Sequence, residues 1–130
     1  MKDVFITSTI HDQWNLRFNL KLCKVLESRG ISCYLPQRDT DQTKTAQEKF
    51  KTNISNIKDS KILLVVLINP TPNLGAEVGF AFGIGKKIIV LTSQNTKDIM
   101  VTGMASNIVK AVNPDILEDY IEDLVKLIRK

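Results

Sequence analysis

The run "KILLVVLI", Lys61 to Ile68, constrains the fold more than any other stretch. From Ile62 to Ile68 every residue is apolar, so the segment has no wet face and dry face to alternate between. A strand of that kind is buried on both sides, as at the centre of a parallel sheet. It is also far too short to span a bilayer. Parallel strands need long crossover connections, and helices must cover both faces.

The rest of the chain supplies them. "DVFITS" reads as a first strand. "DQWNLRFNLKLCKVLESRG" reads as a helix, because Trp14, Phe18, Leu22 and Val25 recur at spacings of three and four and Gly30 stops it. "ISCYL" is a second strand closed by Pro36, and "QRDTDQTKT" a polar loop. "AQEKFKTNISNIKDS" is helical, with Phe50, Ile54 and Ile57 on one face. "GAEVGFAFGIG" is a helix, "KIIVLT" a strand, "KDIMVTG" a short helix or turn, and "NIVKAV" a strand. "PDILEDYIEDLVKLIRK" is the last helix, with Pro114 in its first turn, acids near its start and bases at its end. The order βαβαβαβαβα predicts a three-layer α/β/α sandwich of the flavodoxin-like or Rossmann-like kind. Its five-stranded parallel sheet has the order 2-1-3-4-5.

With 130 residues and 43% hydrophobic content, one domain spanning 1–130 can bury its own core. The start "MKDVFITST" lacks a signal-peptide pattern, and Cys23 and Cys33 fall in helix-like and strand-like segments. A cytoplasmic protein with two reduced, buried thiols is the expectation; a disulfide is the alternative. The net charge of +4 is spread along the chain, with no basic run interleaved with aromatics. That argues against a nucleic-acid polymer as partner, and nothing points to a membrane. His11 is the only histidine, and no Cys/His cluster has ligand spacing, so neither a metal nor a cofactor is expected.

In the 2-1-3-4-5 order the chain reverses direction between the first and third strands. Ligands bind outside the C-terminal ends of those strands. Two segments meet there: "TST", Thr7 to Thr9, and "NPTPNLGAE", which ends on Glu77. Glu77 therefore opens a helix at the crevice, where an ionised carboxylate can act as nucleophile, base or cation anchor. The bland alternative is a first-turn acid that only complements the helix dipole. Gly75 and Gly79 flank Glu77, and the helix beyond it (Val78, Phe80, Ala81, Phe82, Ile84) has almost no polar face. A helix apolar all round is covered on all sides, by its own fold or by a second subunit.

"PNLGAEVGFAFGIGKKIIVL" resembles the signature of the nucleoside 2-deoxyribosyltransferase family. There a Gly-containing loop leads to a catalytic Glu, and a Gly-Lys precedes the next strand. "VFITS", "YLPQRD" (Tyr34 to Asp39), "NISNIKDSKILLVVL" and "DIMVTGMASNIVKA" are similar to further family segments. These line the sugar, reach toward the base, precede the catalytic loop, and lend residues to the neighbouring subunit. The resemblance implies that Glu77 attacks the anomeric carbon and displaces the base, and that a second base or water then takes the sugar. That is the double displacement of retaining glycosidases and needs no metal or cofactor. It implies substrate contacts from Phe5, Thr7, Ser8, Gln37, Asp39, Asn53, Asn73, Gly75, Asp98 and Met100. Asp39 or Asp98 would protonate the leaving base. It also implies a homodimer or higher homo-oligomer with shared sites, a nucleoside or nucleotide as small-molecule partner, and a role in nucleotide salvage.

The chain departs from the family at three points. A first-strand Tyr that hydrogen-bonds the catalytic carboxylate is here Phe5; an Asp on the second helix is Asn53; an Asp before the catalytic Glu is Thr71 or Asn73. Related hydrolases of nucleoside 5′-monophosphates use hydroxyls and an Arg around the phosphate. Thr7, Ser8 and Thr9 can supply hydroxyls, but the nearest Arg, Arg17, lies inside a helix. Base transfer thus ranks ahead of nucleotide hydrolysis. "DVFITSTIHD" and "LCKVLESRGISCYL" also resemble the opening of TIR domains, some of which cleave NAD and others of which only bind proteins. The residues argue against a working response-regulator receiver, since Thr7, Ser8 and Asn69 stand where its acids belong. "GIGKK" lacks the Ser/Thr and spacing of a phosphate loop.

Overall fold

The computed structural model describes residues 1–93 and 98–130. Five parallel strands form one sheet: β1 (Lys2–Thr7), β2 (Cys33–Tyr34), β3 (Ser60–Leu67), β4 (Lys87–Ser93) and β5 (Asn107–Ala111). Their order is β2-β1-β3-β4-β5, as the sequence pattern predicts. The helices are α1 (Gln13–Ser28), α2 (Pro36–Asp39), α3 (Ala46–Lys58), α4 (Pro72–Gly83), α5 (Ile99–Gly103) and α6 (Ile121–Arg129).

Strand alternation divides the apolar residues into two cores, one on each face. Val4, Ile6, Ile62, Leu64, Val66, Ile89 and Leu91 pack with α1 and α6. Phe5, Leu63, Val65, Leu67, Ile88 and Val90 pack with α3, α4 and α5. Register keeps the rows aligned: Leu64 pairs with Ile6 on one side and Ile89 on the other. β3 is buried on both faces for this reason. Cys23 and Cys33 are buried and not joined.

Four local expectations change. β2 shrinks to two residues, because Pro36 starts the helical turn α2 inside the segment expected to be loop. α4 begins at Pro72, just after Thr71, and so uses proline's pre-set φ at the first helical position, with no capping hydrogen bond from the Thr71 side chain. At its other end Gly85 takes φ +78° and lets Lys86 N–H bond to Ala81 O, which closes the helix. The last helix is not continuous from Pro114. A turn and a short 3-10 segment (Leu117–Asp119) come first, and Tyr120, buried in the core at φ −138°, breaks the helical path before α6. Phe50, expected on the core face of α3, is 62% exposed, whereas Ile57 is buried. The N-terminal turns of α3 overhang the sheet rather than cover it. Lys97, the first residue of the expected "KDIMVTG" element, lies outside the described residues.

Candidate active site

At the C-terminal ends of β1 and β3 lies a cavity of about 440 Å³, within the range of small-molecule sites. Its walls come from the loop after β1, from α2 and the chain beyond it, from α3 and from α4. Glu77 lines it, in the second turn of α4 because that helix starts at Pro72. The dipole effect fades within the first turn, so complementing a helix end does not account for this acid. The last residue of β1 does contact it: the Thr7 hydroxyl donates to Glu77 Oε1 at 2.6 Å. Burial pushes the Glu77 carboxyl above its ordinary value, and the Thr7 hydrogen bond offsets only part of that.

A second group of hydrogen bonds locks the two strand ends together. Asn69, at the end of β3, adopts φ +51°, a left-handed conformation that Asn tolerates. Its Nδ2 donates to Asp12 Oδ2 at 2.9 Å and to Asn15 Oδ1 at 3.0 Å. Its carbonyl accepts from the Thr9 hydroxyl at 2.6 Å. Asn15, fully buried on α1, donates to Ile68 O at 2.9 Å and to Ser8 Oγ at 3.3 Å. Since an amide N–H only donates, Ser8 Oγ accepts there and its proton is free for the cavity that Ser8 lines.

The site residues expected from sequence divide into two groups. Ser8, Asn53, Asn73 and Glu77 line the cavity together, as does Thr71. Phe5, Thr7, Gln37, Asp39, Gly75, Asp98 and Met100 do not. Phe5 is fully buried beneath it and stacks on Tyr34, with ring centroids 5.3 Å apart. Thr7, two residues along and on the same strand face, provides the hydrogen bond that Phe5 cannot. Gln37 turns to α1, donating to Leu16 O and accepting from Asn19 Nδ2, both at 2.9 Å. Asp39 accepts from Leu35 N–H and from Arg38. Burial raises its carboxyl, but Arg38 and that N–H outweigh burial and hold it below its ordinary value. Asp98 caps α5 by accepting from Val101 N–H at 3.0 Å, and Met100 is 75% exposed on that helix. Glu77 is the one carboxylic acid on the cavity wall among the described residues.

A family profile described as nucleoside 2-deoxyribosyltransferase like matches residues 1–95. The chain belongs to that family. No curated protein matches its sequence. Three solved structures show how widely the fold of this deoxyribosyltransferase-like chain is shared. A 2-deoxyribosyltransferase from Bacillus psychrosaccharolyticus is 16% identical with a TM-score of 0.72, over 90% of each chain. A CMP N-glycosidase from Clostridium botulinum is 18% identical with a TM-score of 0.73, over 95% of this chain and 98% of that one. The TIR domain of the Toll-related receptor TRR-2 from Hydra magnipapillata is 19% identical with a TM-score of 0.72, over all of both chains. Such identities establish a common fold and nothing finer.

In this family member the cavity also holds residues that sequence patterns did not single out. His11 and Lys49 place cationic or donor groups on its wall. Phe50 and Phe80 provide aromatic surface from α3 and α4. The one sequence signal for Phe50 is its place at the front of the Phe50-Ile54-Ile57 series, where a helix outruns its sheet.

Proposed function

We propose that the chain transfers a 2-deoxyribosyl group between nucleobases by double displacement at Glu77. The observation that carries this reading is the partly buried Glu77 carboxylate on the cavity wall, with Oε1 tied to Thr7. That bond occupies Oε1 and leaves Oε2 to attack. Oε2 bonds to the anomeric carbon as the C–N bond breaks, and the electron pair leaves with the base. A nitrogen of a second base then attacks the same carbon, the ester C–O bond breaks, and the carboxylate is regenerated. The family match supports this chemistry. The scheme draws on no metal or cofactor. It fits nucleotide salvage in the cytoplasm, in one domain spanning 1–130. β5 and α6, which lie beyond the family match, share the core of the same sheet.

The active form in this proposal is a homodimer. Phe82, Ile84, Ile99 and Met100 are large apolar side chains left exposed on α4, its C-terminal cap and α5. Covering them with a second copy would bring Asp98 and Met100 toward the partner's Glu77, and Asp98 would supply the proton that the leaving base needs.

A second reading is hydrolysis of a nucleoside 5′-monophosphate. Lys49 and His11 on the cavity wall favour it, together with the directed Ser8 hydroxyl, since these groups suit a phosphate.

The deciding assay incubates the protein with nucleosides, nucleotides and NAD, with and without an acceptor base, and separates the products. Base exchange supports transfer; free sugar phosphate supports the second reading; nicotinamide release alone refutes both in favour of TIR-like chemistry. Glu77→Ala must abolish the activity found. Retention of more than about a tenth of turnover, less than ~1.4 kcal/mol of barrier, refutes Glu77 as nucleophile.

A further inference from the structure

The cavity wall contains a hydrogen-bond relay with a fixed direction. Tyr34, on β2, and Thr40, just after α2, are both buried. Their hydroxyl oxygens lie 2.6 Å apart. Thr40 Oγ1 lies 2.7 Å from Asn53 Oδ1. Asn53 sits on α3 and lines the cavity.

Each hydroxyl has one proton, and the Tyr34 hydroxyl has no second hydrogen-bond partner among the described residues. Burial pushes that hydroxyl above its ordinary pKa, so it keeps its proton. If Tyr34 donates to Thr40, Thr40 donates to Asn53, and every buried proton is placed. Reversing the chain would have Asn53 Nδ2 donate to Thr40 and Thr40 donate to Tyr34. The Tyr34 proton would then be buried with no acceptor, which is the costly arrangement. The direction is therefore Tyr34 to Thr40 to Asn53. The Asn53 oxygen is occupied, and its NH₂ group is left for the cavity.

The surroundings indicate what meets that NH₂ group. Phe50 lies three residues earlier on α3 and faces the same cavity, with Ile54 beside it and Phe80 on α4. The flat aromatic and apolar surface beside this NH₂ group suits a heterocyclic base better than a sugar or a phosphate.

We propose that Tyr34 and Thr40 are positioning residues that fix Asn53 as a hydrogen-bond donor, so that the site selects bases presenting an acceptor to it. This rests on the reading that the cavity takes a nucleobase. A site built with a donor rejects a ligand that lacks the acceptor, because the donor is then left unpaired.

The test is calorimetric binding of bases and 2-deoxynucleosides. Each is paired with an analogue in which one ring nitrogen or carbonyl group is replaced by C–H. Against the wild type, one such replacement should weaken binding roughly ten- to hundredfold. Thr40→Val should reduce that preference to within about threefold, and Thr40→Ser should restore it. Tyr34→Phe keeps the ring stacked on Phe5 and should lower the preference too, which covers the case in which Thr40→Val fails to fold. Asn53→Asp, which presents an oxygen instead, should lose the preference with the relay intact. A merely structural role for Thr40 would lower stability and leave the ratio unmoved, and that result overturns the proposal. So does a wild type that binds bases without any acceptor preference. If no base or nucleoside binds at all, the reading of the cavity fails and the proposal with it.

Discussion

Thr7→Val isolates the contact on which the Glu77 chemistry depends. The substitution keeps the shape of a fully buried side chain and removes only its hydroxyl, which lies 2.6 Å from Glu77 Oε1. That hydrogen bond favours the ionised carboxylate, while burial opposes it. Without it, burial acts unopposed and the carboxyl binds its proton more tightly. Hydrogen bonds to charged groups are worth about 1.5–3 kcal/mol, so the ionised fraction on the acid side should fall roughly 10- to 150-fold. At alkaline pH the carboxylate is ionised in both proteins, so turnover should converge to within a few-fold. The assay is a pH profile of kcat/KM for the best substrate of the panel. The expected result is an acid limb displaced to higher pH with the alkaline plateau nearly preserved. A profile that overlays the wild type would refute the reasoning, as would a loss that is uniform across pH.

The same burial has a consequence for stability. Because the folded-state pKa of Glu77 lies above the ordinary 4.5, the folded chain binds more protons than the unfolded one between those values. Stability is then lost as pH rises through the folded value. Glu77→Gln should therefore be more stable than the wild type at pH 7, with the gain vanishing below about pH 4.5, as read by urea unfolding at both pH values. Equal stability differences at the two pH values would refute it. For assembly, light scattering at micromolar concentration should show at least a dimer, and Met100→Glu should dissociate it and lower activity. A fully active wild-type monomer would rule the shared site out.

Much of the architecture is written in local patterns. The apolar run Ile62 to Ile68 demands cover on both faces, and alternating residues such as Val4, Phe5 and Ile6 divide between two cores. Four of the expected site residues, Ser8, Asn53, Asn73 and Glu77, line one cavity, because the strand order brings the β1 and β3 ends together and α3 adds Asn53 to them. Boundaries were less legible. α4 starts at Pro72 rather than near Gly75, and α6 waits until Ile121, since caps and buried side chains such as Tyr120 decide where a helix begins.

Sequence alone determined the parallel sheet, its order, the crevice and the acid that faces it, because period-two and helical spacing are properties of neighbouring residues. Only the tertiary structure decided how that acid is held. Thr7 and Glu77 are 70 positions apart, and their contact follows from how α4 lies across the end of β1. Tyr34, Thr40 and Asn53 likewise come from a strand, a loop and a helix, each unremarkable in its own segment. Hydrogen-bond direction depends on which protons find acceptors across those elements, and no spacing along the chain encodes it.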